Sequence, residues 1–236
     1  MHWLKVFLIL CREIYFPVLT NPSIYKVSHL RDFCFSMNAY FLIYKPYQTL
    51  SQFSAAEGKK TLADFFDVPK NVYPVGRLDY DSEGLLLLTN DTALNHRLLN
   101  PAFSHEREYW VQVDGAISES AMEQLQRGVI ITTDGKKYQT KPCIVNGFEN
   151  DPVVPQRNPP IRFRKEIPAS WIRMILTEGK NRQVRKMTAA VGFPTLRLIR
   201  YRIGNLVTGR MLPGDMVSLD RHTIYQKLFH DNDNGF

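Results

Sequence analysis

The sequence predicts an α+β fold, and three observations carry that prediction. Apolar or alternating runs that read as strands recur along the chain; helical spacing is confined to a few stretches; and the two kinds do not alternate as a regular strand–helix–strand repeat. At 236 residues, 44% hydrophobic and 22% charged, the chain can bury a substantial core without disulfides or metal.

Residues 1–36 show no sustained period and contain Pro17 and Pro22, so they read as a peripheral appendage. The run VFLIL at 6–10 is far shorter than the roughly 20 residues that span a bilayer, and no small-residue cleavage site follows it. No membrane association and a cytoplasmic location are expected. From Met37, AYFLIYKPYQTLSQF reads as a strand leading into a turn. It stops at Lys45-Pro46, because proline lacks an N–H and keeps the residue before it extended. A short helix at 61–66 and a link ending at Pro74 follow. LLLL at 85–88 is apolar on both faces, which suits a central buried strand.

Thr89, Asn90 and Asp91 are turn and N-cap types, so Thr92 to Leu99 reads as a helix stopped by Asn100-Pro101. In EYWVQVDG, Tyr109, Val111 and Val113 share one strand face, with Trp110 and Gln112 on the other. Ser118 or Ser120 opens a helix through Arg127, closed by Gly128, and the pair Ser120/Glu123 fits a capping box. PQRNPPIRFRKEIP at 155–168 reads as a loop or connection. WIRMILTEG is a strand. A helix from near Asn181 to Gly192 carries the apolar stripe Val184, Met187 and Val191. TLRLIRYRIG reads as an alternating strand, and Met216–Leu219 as the last one. This gives a domain at 37–219 between an appendage at 1–36 and a polar tail at 220–236.

The formal charge is +7 with a pI near 9.3, which leans toward a polyanionic partner. The excess is local: 157–202 holds twelve Lys or Arg against two acids, whereas 37–156 holds fifteen acids against eleven bases. Cys11, Cys34 and Cys143 form no CxxC pattern, which points to a reducing compartment without structural zinc. There is no GxGxxG or GxxxxGK[ST], so a nucleotide cofactor is not indicated. His96 and His105 make neither a metal site nor a convincing base, and no cofactor or metal is expected.

The stretch GRLDYDSEG lies between Gly76 and Gly84, where the backbone must turn or approach something closely. If it is extended, Leu78 points inward while Arg77 and Asp79 point together toward an open cleft. Asp79 is then either functional or half of a structural Arg–Asp pair; Asp81 and Glu83 read as solvated acids. Arg182, Arg185 and Lys186 share a helical face, which is unfavourable unless an anion relieves them; the alternative is a solvated face. Together with Arg157, Arg162, Arg164, Arg173, Arg197, Arg200 and Arg202, such density suits contacts along a charged polymer. Tyr109 and Trp110 point oppositely, one to the core and the other to the cleft, in either order.

GRLDYDSEGLLLLTND at 76–91 resembles the signature of RNA pseudouridine synthases of the RsuA type. The resemblance extends through Tyr44-Lys45-Pro46, Arg107-Glu108-Tyr109, NPPIR at 158–162, EGKNRQVRKM at 178–187 and GFPTLRLIRYRIG at 192–204. It covers almost everything from Met37 to Leu219 and is sharpest toward the branch acting on large-subunit (23S) ribosomal RNA. It implies a largely antiparallel mixed sheet, two lobes and a central basic cleft. It also implies an isomerase that breaks N1–C1′ of a uridine and forms C5–C1′ without cofactor or metal.

The resemblance carries the essential aspartate onto Asp79, the motif arginine onto Arg77, the active-site tyrosine onto Tyr109 and the arginine that pairs with the carboxylate onto Arg185. Asp81 and Glu83 would then shape the loop. The RNA-binding set expected from motif and charge is Lys45, Arg107, Arg162, Arg164, Lys180, Arg182, Lys186 and Arg200. Two departures stand out: residues 1–36 are too short for the S4 domain of many relatives, and Arg107 replaces the family's usual lysine. The expected partner is ribosomal RNA, 23S or a large-subunit precursor, met by a monomer. A non-catalytic RNA-binding protein on the same scaffold explains the charge equally well but not the site residues. A glycosidase needs a second carboxylate across the bond.

Overall fold

A computed structural model describes residues 38–161 and 168–229. The proposed appendage, together with Arg162 and Arg164, lies outside the described residues. The strands in chain order are β1 (Tyr40–Lys45), β2 (Thr49–Leu50), β3 (Lys60–Thr61), β4 (Tyr73–Pro74), β5 (Glu83–Thr89), β6 (Arg107–Asp114), β7 (Ile130–Thr133), β8 (Lys136–Gln139), β9 (Ile144–Gly147), β10 (Ala169–Leu176), β11 (Thr195–Ile203), β12 (Leu206–Val207) and β13 (Met216–Leu219). The helices are α1 (Thr92–Leu99), α2 (Glu119–Arg127), α3 (Gln183–Ala190) and α4 (Arg221–Phe229). No helix among the described residues is long and apolar enough to cross a membrane.

Nine strands form one mixed sheet in the order β13-β1-β5-β11-β6-β10-β9, with β4 beside β5 and β12 beside β11. Two antiparallel halves, β13-β1-β5 and β11-β6-β10-β9, meet at a parallel pairing of β5 with β11. That seam has only two register pairs, Ile199 with Glu83 and Arg200 with Gly84. Gly84 makes the approach possible: a Cβ there would lie 2.4 Å from the Arg200 carbonyl oxygen, and its φ is +101°. Only glycine accepts both conditions.

All of β5 is buried, and its alternation separates two cores. Leu85 and Leu87 pack with Tyr40, Leu94, Leu98, Ile203, Ile224 and Leu228. Leu86 and Leu88 face Ile43, Leu62, Phe66, Val72 and Leu78. Each fully buried leucine contributes about 1.5–3 kcal/mol relative to exposure. In the other half, Val111, Val113, Ile172, Met174 and Leu198 pack beneath Leu125 of α2 and Val184 and Met187 of α3. The β7–β8 hairpin turns through Asp134 and Gly135, both at positive φ, as a two-residue loop requires.

Three local expectations need correction. The cap of α2 is Ser118, which accepts from the Ala121 N–H at 3.2 Å, so Ser120 and Glu123 form no capping box there. β11 does not alternate: Arg197 through Arg200 are all buried. The strand lies inside the sheet, and irregularities between Thr195 and Arg197 and between Arg200 and Arg202 shift its phase. The domain also does not end at 219. Residues 221–229 form α4, with Ile224, Leu228 and Phe229 in the core.

Asp91 ties this last helix to the first strand. Its Oδ1 caps α1 by accepting from Leu94 N–H at 3.0 Å, while its Oδ2 accepts from the hydroxyls of Tyr40 at 2.7 Å and Tyr225 at 2.8 Å. Burial pushes this carboxyl up, but those bonds together outweigh burial and hold it below the ordinary aspartate range. A carboxyl lowered on folding contributes stability above its unfolded value near 3.9, and that contribution is lost as pH falls through the lower folded value. Asp91→Asn should therefore flatten the acid limb of stability below about pH 4, measured by urea unfolding at stepped pH. An acid limb identical to that of the unsubstituted protein would remove Asp91 from the account.

Candidate active site

The site is built where the segment entering β5 crosses the seam. Leu78 is buried, and its N–H and C=O are both held by the Ser51 hydroxyl, at 3.0 and 2.8 Å. With Leu78 pinned inward, its extended neighbours Arg77 and Asp79 line a cleft of about 480 Å³. A turn closed by Ser82 N–H on Asp79 C=O, 3.1 Å, then leads into β5. Opposite this turn the cleft is lined by Tyr109 and Arg107 of β6, Arg200 of β11, and Lys180 and Arg182 before α3. Lys141 and Glu178 complete that wall.

The three acids divide sharply. Among the described residues the Asp79 carboxylate has no hydrogen-bond or ion-pair partner, although its charge is felt by Lys45, Arg182, Arg185 and Arg200. Asp81 is gripped by Arg182 through two bonds of 2.8 Å. Glu83, only 1% exposed, receives two bonds of 2.9 Å from the buried guanidinium of Arg197. The reading as a solvated acid is therefore wrong for Glu83, whereas Asp81 is partly exposed but ion-paired. Asp81 holds the loop to α3, and Glu83 neutralises a cation inside the sheet. Burial pushes the Asp81 carboxyl up, but the hydrogen bond and charge of Arg182 and the charge of Arg185 leave it below the ordinary range.

Arg185 does not pair with Asp79. Its Nη2 donates to the Asp81 C=O at 2.6 Å, and its Nε lies 3.3 Å from the Asp81 carboxylate. Helix spacing puts Arg182 and Arg185 on one side, and both are relieved by the same acid. Lys45 is not an RNA contact on the surface: it is fully buried and donates to the carbonyls of Pro46 and Thr49 at 3.0 and 2.6 Å. Burial pushes its ammonium down to about 7, against the pull of Glu83, Asp79 and Asp81. Arg200 is likewise buried, with Nε donating across the seam to Leu85 C=O at 2.8 Å. Lys186, on α3, is not among the residues lining the cleft.

The basic excess at 157–202 is thus smaller at the surface than the count suggests. Arg202 is spent on Glu106 and Glu108, and Arg173 approaches Glu108. Among the described residues, the other cations that line the cleft are Arg77, Arg107, Lys141 and Lys180, with Arg182 held by Asp81. Tyr109 faces it too, while Trp110 turns away and stacks on Tyr201 at 4.0 Å. Glu178 was given no role from the sequence. It accepts from the Tyr138 hydroxyl, the Lys141 N–H and the Gln183 amide, fixing the β7–β8 hairpin to the basic turn before α3. Its place as one of two acids among twelve cations was the available signal.

A sequence profile of the family described as RNA pseudouridylate synthase matches residues 39–190. Ribosomal large subunit pseudouridine synthase E of Vibrio parahaemolyticus is 49% identical over 170 residues, 72% of this chain and 69% of its own length. The protein of the same name in Xanthomonas campestris is 48% identical over 73% of this chain and 91% of its own length. Ribosomal large subunit pseudouridine synthase B of Bacillus subtilis is 32% identical over 78% of this chain and 69% of its own length. A crystal structure of a pseudouridylate synthase superposes with a TM-score of 0.66 at 26% identity, covering 81% of this chain and 74% of that one. The profile spans the loop of Asp79, the strand of Tyr109 and the basic helix alike, and so the chain belongs to the RNA pseudouridine synthase family.

Proposed function

We propose that this enzyme isomerises a specific uridine of large-subunit ribosomal RNA, acting as a monomer in the cytoplasm, with Asp79 as the essential carboxylate. One observation carries the assignment: of the three acids in the loop, only Asp79 faces the cleft uncommitted, and Tyr109 lines the same cleft. The target nucleotide leaves its stack to reach the cleft, since C1′ and C5 are shielded in a helix. Tyr109 offers a ring face for the extruded base. Asp79 then either attacks C1′ or takes the C2′ proton. In the first route N1–C1′ breaks as the Asp79 oxygen bonds to C1′, and that ester bond breaks when C5 bonds to C1′. In the second, N1–C1′ breaks as Asp79 takes the C2′ proton, which returns to C2′ as C5 bonds to C1′. In both the ring turns in between, the C5 proton is lost and N1 gains one. Every residue used is the chain's own.

The relatives' names motivate the choice of ribosomal RNA, and the cations around the cleft suit its phosphates. Mapping pseudouridines in ribosomal RNA from cells with and without the gene tests activity and target together. One large-subunit site should lose its modification; an unchanged map would overturn the assignment.

The burial pattern also sorts the cations in binding. Lys180→Ala and Arg77→Ala should each lower the slope of log Kd against log salt by about one, as one phosphate contact disappears. Lys45→Met should leave that slope unaltered, because its ammonium is sealed from RNA. A salt titration of binding to an unmodified large-subunit transcript reads all three. A slope reduced by Lys45→Met would show that this lysine reaches the RNA after all.

A further inference from the structure

Two buried polar atoms at the cleft have no partner among the described residues, Nη2 of Arg200 and Oγ of Ser82. Both residues line the cleft and are only 4% and 1% exposed. That is too deep for phosphates of an RNA strand crossing the rim, so Arg200 does not belong to the electrostatic footprint. Its position is fixed: Nε holds the Leu85 carbonyl across the seam, and Arg200 is the register partner of Tyr109. A guanidinium stays charged and presents only donors. The Tyr109 side chain lies within hydrogen-bonding reach of this guanidinium, but Nη2 itself keeps no partner among the described residues. A buried donor without an acceptor is unfavourable, what enters the cleft can supply one, and the extruded base is the part of the substrate that reaches deepest.

We propose that Arg200 binds the base, its free Nη2 donating to a carbonyl oxygen of the extruded uracil, and that this one donor serves both carbonyls in turn. In uracil, O2 and O4 flank N3 symmetrically about the line through N3 and C6. Isomerisation requires a half-turn about that line, so that C5 replaces N1 opposite C1′. The turn also carries O4 to the place O2 held. A fixed donor therefore meets a carbonyl before and after the turn, and N3–H stays on the axis, available to an acceptor such as the Ser82 hydroxyl. Cytosine would bring its amino group against the same donor in one of the two orientations, leaving donor facing donor. The inference rests on reading this cleft as the uridine site.

The test pairs a change in the enzyme with a change of one atom in the substrate. The smallest ribosomal RNA fragment that the enzyme modifies is synthesised with uridine, 2-thiouridine or 4-thiouridine at the target, since sulfur accepts hydrogen bonds poorly. Single-turnover pseudouridine formation is followed by mass spectrometry. The unsubstituted enzyme should slow by roughly tenfold on each thio substrate. Arg200→Met should be slower by about a hundredfold on uridine, with little further loss on either thio substrate.

Arg200→Lys keeps the charge, but one ammonium cannot hold Leu85 and the base at once, so its thio penalties should also shrink. This second variant carries the test if Arg200→Met does not fold. Thio penalties of equal size in the enzyme and its variants would mean that Arg200 acts only through the fold, and would overturn the proposal. A penalty at one sulfur position only would overturn the shared-donor step. Failure of the unsubstituted enzyme on every ribosomal transcript would instead remove the functional reading itself.

Discussion

Asp79→Asn should lower pseudouridine formation by roughly four orders of magnitude or more while the protein folds and binds RNA as before. Asparagine keeps the size of the side chain and removes the anionic oxygen on which either route to the glycosidic bond depends. Because the Asp79 carboxylate has no hydrogen-bond or ion-pair partner among the described residues, its loss breaks no structural contact. Arg185→Ala is expected to act differently. It removes the bond to the Asp81 C=O and one of the two arginines on its carboxylate, which Arg182 still holds, so activity falls because the loop loosens in part around Asp79. Quantifying pseudouridine in one substrate RNA, alongside binding and circular dichroism, separates the two. A folded Asp79→Asn protein with roughly a tenth of normal turnover would sink the role given to this residue.

The second large effect is on stability and falls on Glu83. Removing it leaves the Arg197 guanidinium, only 5% exposed, without its carboxylate inside the sheet. Breaking a buried pair in this way costs about 3–5 kcal/mol, so Glu83→Ala should unfold at markedly lower urea than the unsubstituted protein. Arg197 also donates to Pro155 C=O at 2.8 Å, and the loop at 151–161 should loosen with it. The double variant Glu83→Leu with Arg197→Met removes both charges and should regain most of the loss. If Glu83→Ala unfolded at the unsubstituted midpoint, the pair would be contributing nothing.

What the sequence revealed follows from how local each signal is. Helix Thr92–Leu99 and its cap Asp91 were readable because the cap lies three residues from the N–H it satisfies. The direction of Arg77 and Asp79 followed from one apolar residue between them. The partners of Arg185 and Arg197 were hidden, since Asp81 and Glu83 lie 104 and 114 residues away. Local spacing shows that cations crowd together but not which acid reaches them. Burial of Lys45 and Arg200 was hidden for the same reason: both sit where distant strands close over them. Helix α4 was legible in principle. Asp220 accepts from the Thr223 N–H, and Ile224 and Leu228 stand four apart, but the polar residues around them masked the stripe.

The two faces of β5 also differ in when they can be covered during synthesis. Leu86 and Leu88 pack on residues from 43 to 78, all made before β5, so that side can close as soon as the strand emerges from the ribosome. Leu85 and Leu87 meet Tyr40, Leu94 and Leu98 early but wait for Ile203, Leu206, Ile224, Leu228 and Phe229 to complete their cover. At about 5–20 residues per second, translating the intervening chain takes roughly six to thirty seconds. For that interval the nascent chain presents a β5 edge that lacks β11 and a half-covered leucine face, the combination that recruits another strand. This enzyme should therefore depend on holding chaperones while it is being made, and slowing elongation between codons 90 and 200 should lower its soluble yield.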